Sequence, residues 1–131
     1  MTDIPGGRTV ALLSMRADEI RGHLDALLLA VIDEGPAHGY AILEALRERS
    51  RGSVDLPTGT IYPALHRLER AKLISSTWST VDGRKRRTYA LTKLGRRVLT
   101  DERVQWRTFV TTVSSFLGEF DPHPLAGGAL S

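Results

Sequence analysis

Four consecutive cations, Arg84-Lys85-Arg86-Arg87, follow an Asp82-Gly83 pair, and a second group of donors, Thr58, Thr60, Tyr62, His66 and Arg67, lies upstream of them. The chemistry such groups perform is recognition of anions. A guanidinium is a planar fork that bonds two oxygens at once, which suits phosphate and the acceptor edge of guanine. Hydroxyls near the start of a helix add to its free backbone N–H groups as ligands for anions. Catalysis has less support: no Asp, Glu or His pair falls in a recognisable constellation, no motif supports a Ser-His-Asp set, and there is neither a GxGxxG nor a phosphate loop. The absence of cysteine removes thiol nucleophiles, disulfides and Cys-ligated zinc, and fits a reducing cytoplasm. His23, His38, His66 and His123 are scattered, with no second ligand at a usable spacing, so neither a metal nor another cofactor is expected.

The chain has 131 residues with 41% apolar and 25% charged residues, the usage of an ordinary globular domain or of one domain with an arm. The net charge of +3 hides an uneven distribution. Residues 58–99 hold ten Lys/Arg and two acids, a net +8, and the rest of the chain is −5. A basic module in an acidic frame points to a polyanionic partner; a solvated charged face is the plain alternative. The longest apolar run, Ala26 to Ile32, is too short to span a bilayer, and the N-terminus MTDIPGGRTV lacks the apolar centre of a signal peptide. The expectation is a cytoplasmic protein without a membrane partner.

The elements that must position these groups follow from periodicity and punctuation. Val10, Leu13, Ala17 and Ile20 permit a short helix, so residues 1–21 read as an arm or short helix. Leu24, Leu27, Leu28, Val31 and Ile32 predict a helix over 22–34, stopped by Gly35-Pro36. A second helix covers about 38–50, with Tyr40, Ile42, Leu43 and Leu46 on its buried side and His38 as a capping residue. The third runs 58–71, with Thr58 as N-cap, Pro63 near its start and Ile61, Leu65 and Leu68 inward. Leu73–Thr80 and Arg87–Leu91 read as a hairpin joined by residues 81–86, Asp82-Gly83 being the turn signal. A last helix opens at the capping residue Thr92 and extends to Phe120, and a Pro- and Gly-rich tail, 121–131, is expected to be flexible.

The fold class this order predicts is mainly α with a small β-hairpin: a winged helix-turn-helix over 22–91, then a long helix over 92–120. The major groove, about 12 Å wide, admits one helix. The third helix would present side chains to base edges, braced by the second. Arg84, Lys85, Arg86 and Arg87 at the hairpin tip would reach adjacent phosphates. His66 and Arg67 are the candidate base readers, Arg67 alternatively pairing with Glu69 or Glu48, while Thr60 and Tyr62 are candidate phosphate ligands. A winged protein-interaction module and an RNA binder are the competing classes; the second lacks exposed aromatic pairs for stacking single-stranded bases.

Four separated segments carry a resemblance: Gly35-Pro36-Ala37-His38-Gly39-Tyr40-Ala41-Ile42, Gly59-Thr60-Ile61-Tyr62-Pro63-Ala64-Leu65-His66-Arg67-Leu68-Glu69, Leu73-Ile74-Ser75-Ser76, and Asp82-Gly83-Arg84-Lys85-Arg86-Arg87-Thr88-Tyr89-Ala90-Leu91-Thr92. The chain resembles PadR-family transcriptional regulators over about residues 22–100. The resemblance implies a homodimer that binds operator DNA, usually as a repressor, and is often released by a small ligand. It also favours Tyr62 as a phosphate ligand.

Trp106, Phe109, Val113, Phe116 and Phe120 recur at 3, 4, 3, 4, an apolar seam along the last helix. Part of it would pack within the chain and the remainder against a second copy, giving a two-fold interface and an inverted-repeat operator. Trp106 stands fourteen residues after Thr92. The resemblance implies that a tryptophan so placed can stack on a flat aromatic effector; packing in the core is the simpler role, and the commoner one for an aromatic stripe.

Overall fold

In the computed structural model the described residues are 17–119; residues 1–16, Phe120 and the tail lie outside them. The elements are α1 (Ala17–Asp33), β1 (Ala37–His38), α2 (Gly39–Arg49), α3 (Thr58–Arg70), β2 (Ile74–Val81), β3 (Arg84–Leu91) and α4 (Lys93–Leu117). The mainly α winged-helix architecture is as the sequence predicts, with one addition. Ala37 and His38 form a short antiparallel strand against Tyr89 and Thr88, so the hairpin becomes a three-stranded sheet in the order β1-β3-β2.

Among the described residues, those through Leu99 form one compact unit and those from Thr100 a second. The core of the first joins every element: Leu28, Leu29 and Ile32 from α1, Ile42 from α2, Ile61 and Leu65 from α3, and Ile74 and Tyr89 from the sheet are almost fully buried. Apart from the Tyr89 phenol, no charged or polar side chain is fully buried among the described residues, so apolar burial is what holds this layer of helices to the sheet. Leu91 and Leu99 close the core from the far end of the wing and the first turns of α4.

Several boundaries differ from the sequence reading. Ala17–Ile20 are the first turn of α1, which continues through Gly22 to Asp33; Val10 and Leu13, on which the expected short helix also rests, lie outside the described residues. Thr58 is the first residue of α3, not its cap: Pro57 holds that position with ψ 160°, and its carbonyl accepts from Thr60 and Ile61. Tyr40 is 51% exposed, not buried, because it lies at the start of α2 beside β1, outside the stripe of Ile42, Leu43 and Leu46. The hairpin loop has two residues, not six: Asp82 (φ 52°) and Gly83 (φ 76°) both take positive φ, the turn whose twist matches paired strands, so Val81 already pairs with Arg84. The last helix ends at Leu117 and not at Phe120, closing where the Gly118 N–H donates to the Ser114 carbonyl. His38 does cap α2: its Nδ1 accepts the Ala41 N–H at 3.3 Å. Thr92 Oγ1 likewise accepts the Gly95 N–H at 3.0 Å at the head of α4.

Within the second unit the helix carries Phe109, Phe116 and Leu117 exposed, and Phe116 is 83% exposed. Trp106 and Phe109, one turn apart, stack with ring centroids 5.6 Å apart. Val113, between Phe109 and Phe116 on the same stripe, is half-buried.

Candidate nucleic-acid interface

The tight turn at Asp82-Gly83 fixes a register that the charges depend on. It sets Trp78 opposite Arg87, Ser79 opposite Arg86 and Thr80 opposite Lys85. Side chains alternate across a strand, so Lys85, Arg87 and Tyr89 share one face, while Arg84, Arg86 and Thr88 share the other. β1 covers the outer edge of β3 only at Thr88 and Tyr89; residues 84–87 extend past it.

The wing is tied back to α3. Arg87 donates from Nε and Nη2 to Ser76 Oγ at 3.1 and 2.8 Å, and that hydroxyl donates to Glu69 Oε2 at 2.5 Å. The same guanidinium lies 3.5 Å from Glu69 and 5.3 Å from the centroid of the Trp78 ring, in a cation–π arrangement. The anchor holds the wing at a set distance from α3.

Between the N-terminus of α2, the outer side of α3 and the wing lies a cavity of about 300 Å³. Tyr62, His66, Lys85, Arg86 and Arg87, all expected at the interface, line it together with His38, Gly39, Tyr40, Trp78 and Tyr89. No acidic side chain takes part in the lining. Arg86 Nη1 stands 3.4 Å from His38 Nδ1, the nitrogen that accepts the Ala41 N–H, so the capping imidazole also steers this guanidinium. Arg86 Nε is buried and has no hydrogen-bond partner among the described residues. Tyr89 is buried at the base of the cavity, and burial raises its phenol above the usual tyrosine range; the nearby Arg87 opposes this, while Glu69 and Tyr62 add to it.

Not every expected residue meets there. Arg67 lies on the other flank of α3, where its Nη2 donates to Asp25 Oδ1 of α1 at 2.5 Å. Its partner is therefore neither Glu69 nor Glu48; Glu69 is engaged by the wing. Thr58 is exposed and Thr60 half-buried at the start of α3, outside the cavity, and Arg84 is exposed beside the turn. The sequence reading missed Trp78, Tyr40 and His38 as parts of this surface. Counting back across a two-residue Asp-Gly turn would have found Trp78 opposite Arg87. It also passed over Arg70, which is exposed on α3 between His66 and Arg67 as the helix is viewed end-on. No group of three or more His, Cys, Asp or Glu among the described residues could hold a metal ion.

Known proteins are similar to this chain in sequence and fold. Residues 28–101 match the Transcriptional regulator PadR-like family. An uncharacterized protein of Lysinibacillus sphaericus is 33% identical over 104 residues, which cover 79% of this chain and 95% of that protein. A transcriptional regulator of Mycobacterium tuberculosis is 47% identical over 57 residues, covering 44% of this chain and 53% of that protein. Among solved structures, a PadR family transcriptional regulator from Eggerthella lenta is similar with a TM-score of 0.70 at 31% identity, over 85% of this chain and 96% of that one. A PadR family transcription regulator from Clostridium difficile gives a TM-score of 0.67 at 34% identity, over 73% and 99%.

Proposed function

This chain belongs to the PadR-like family of transcriptional regulators, and from that premise we propose that it is a homodimeric repressor that binds an inverted-repeat DNA operator and is released by a small aromatic effector. The observation that carries the DNA reading is the surface where α3 and the wing bring Tyr62, His66, Lys85, Arg86 and Arg87 around one concavity without an acid. Such a surface attracts a phosphate backbone, and the wing tether keeps its two parts in register.

In this reading Arg84, Lys85, Arg86 and Arg87 meet phosphates, with Tyr62, Thr58 and Thr60 adding ligands near the start of α3, whose first turn has no side-chain cap. His66 and Arg67 read base edges, and Arg67 leaves Asp25 as it does so. The ion pair is about half exposed, so giving it up costs no more than about 1 kcal/mol, less than the roughly 1–3 kcal/mol a bidentate base contact contributes.

α4 and the residues that follow it supply dimerisation through Trp106, Phe109, Val113, Phe116 and Phe120, the last of which lies outside the described residues. Support comes from the exposed apolar stripe of α4, since Phe109, Phe116 and Leu117 gain by leaving water. A two-fold dimer sets two α3 helices about one DNA turn, ~34 Å, apart. Trp106 is the candidate effector contact. The protein would work in the cytoplasm; among the described residues no helix is long and apolar enough to cross a membrane. Selecting bound sequences from a random duplex pool tests the reading: an inverted repeat is expected, and recovery of unrelated sequences would overturn it.

A further inference from the structure

We propose that the cavity between α2, α3 and the wing is a binding site for a free nucleoside monophosphate, with the base against Trp78 and Tyr62 and the phosphate against Arg86 and Lys85. The binding claim is independent of the operator; only competition with DNA rests on the function proposed above. The volume of about 300 Å³ is at the lower end of small-molecule sites, on the order of 300–1,000 Å³. Its chemistry is divided. Three rings, Tyr40, Tyr62 and Trp78, stand at one cavity and are all exposed, Trp78 by 64%. Beside them are cations in unequal states: Arg87 is held by Ser76 and Glu69, whereas Lys85 and Arg86 have no carboxylate partner among the described residues. Two such cations suit a phosphate dianion.

Arg86 gives the sharpest indication. Its Nε–H is buried without an acceptor, and its Nη1 approaches an imidazole nitrogen already occupied by the Ala41 N–H. An unmet buried donor carries its full desolvation cost, which a phosphate oxygen would relieve. Duplex DNA supplies phosphates to this cavity but keeps its bases stacked inside the helix, so it offers no base to the phenol rings or to the indole face that Arg87 does not cover. A free nucleotide offers ring and dianion together, and base–aromatic stacking accepts any base.

The test is titration of the full chain with AMP, followed by heat release and, in a Trp106→Phe background, by emission from Trp78. Saturable binding near or below about 1 mM is expected. Adenosine and ribose 5-phosphate should each bind at least about tenfold more weakly, and Arg86→Gln and the exposed Lys85→Gln should each lose about tenfold in AMP affinity. No saturable signal in either measurement overturns the proposal. So does ribose 5-phosphate matching AMP, which would make the cavity a phosphate seat only, and so does a short oligo-dT strand binding far more tightly than AMP, which would make it a single-strand groove. AMP at saturation should also displace duplex DNA; binding of both together overturns the shared-face claim. Failure of duplex to bind without AMP counts against the operator reading alone.

Discussion

The ring of Tyr62 lies directly on the backbone of Gly39: a Cβ built at Gly39 would stand 2.5 Å from both Cε1 and the hydroxyl oxygen of Tyr62. The first residue of α2 and the outward ring of α3 are thus fitted to each other, and the absence of a side chain at position 39 decides where the Tyr62 hydroxyl sits. Gly39→Ala should push the ring out of the interface. We expect DNA affinity to fall about tenfold in duplex titration, as for a lost phosphate contact, with a stability change of about 1 kcal/mol. In a Tyr62→Ala background the same substitution should cost little further affinity, because the clash has gone. Equal losses in both backgrounds would show that the contact does not matter.

Arg67 and the wing cations should differ in kind. Arg67→Ala should cost roughly 1–3 kcal/mol on operator DNA and much less on random duplex. Arg84→Ala with Lys85→Ala should weaken both about equally and reduce the salt slope by about 2. Asp25→Asn, which frees Arg67, should raise affinity by no more than about fivefold, the size of a half-exposed ion pair. Titrations at two salt concentrations separate these cases.

Gly95 marks where α4 is locked to the wing. A Cβ there would stand 2.0 Å from the Leu73 carbonyl oxygen, a backbone atom that also accepts from Thr92. Since backbone cannot swing aside as a side chain can, Gly95→Ala should destabilise the first unit by about 1–3 kcal/mol in denaturant unfolding. A change within error would mean that the junction yields freely.

Tyr89 predicts an alkaline limit. Burial raises its phenol above the ordinary value near 10. Above that value the unfolded chain has lost this proton while the folded chain keeps it, so stability should fall as pH rises from about 10 and level off once the folded phenol ionises. Tyr89→Phe should remove this part of the alkaline loss while the core stays filled. Unfolding curves across alkaline pH, parent against variant, give the comparison.

The exposed stripe of α4 predicts an oligomer. Phe109→Asp with Phe116→Asp should convert the dimer expected at micromolar concentration to monomer and lower operator affinity at least about tenfold, because two half-sites are then no longer read together. Sedimentation velocity reports the first effect; a parent that is already monomeric would contradict the dimer.

Much of this architecture was legible because the signals are local. The i, i+4, i+7 spacing of Ile61, Leu65 and Leu68 places one face of α3 inward whatever surrounds it. Asp82-Gly83 states its turn outright, but reading residues 81–86 as one loop lost the strand pairing and, with it, the Trp78–Arg87 contact. β1 could not be read: two residues, Ala37 and His38, carry no periodicity and become a strand only through β3. Tyr40 was misplaced because an aromatic near a helical stripe looks apolar, while its position at the first turn leaves the ring outside. The Arg67–Asp25 pair spans 42 residues and follows from tertiary packing alone.

The central claim is that one cationic face of a dimer reads a specific duplex. Its most direct measurement is the ratio of affinities for a selected palindromic duplex and for a scrambled duplex of equal length at physiological salt. A preference of roughly 10³-fold or more is predicted. A ratio near one would contradict the account, however tightly either duplex bound.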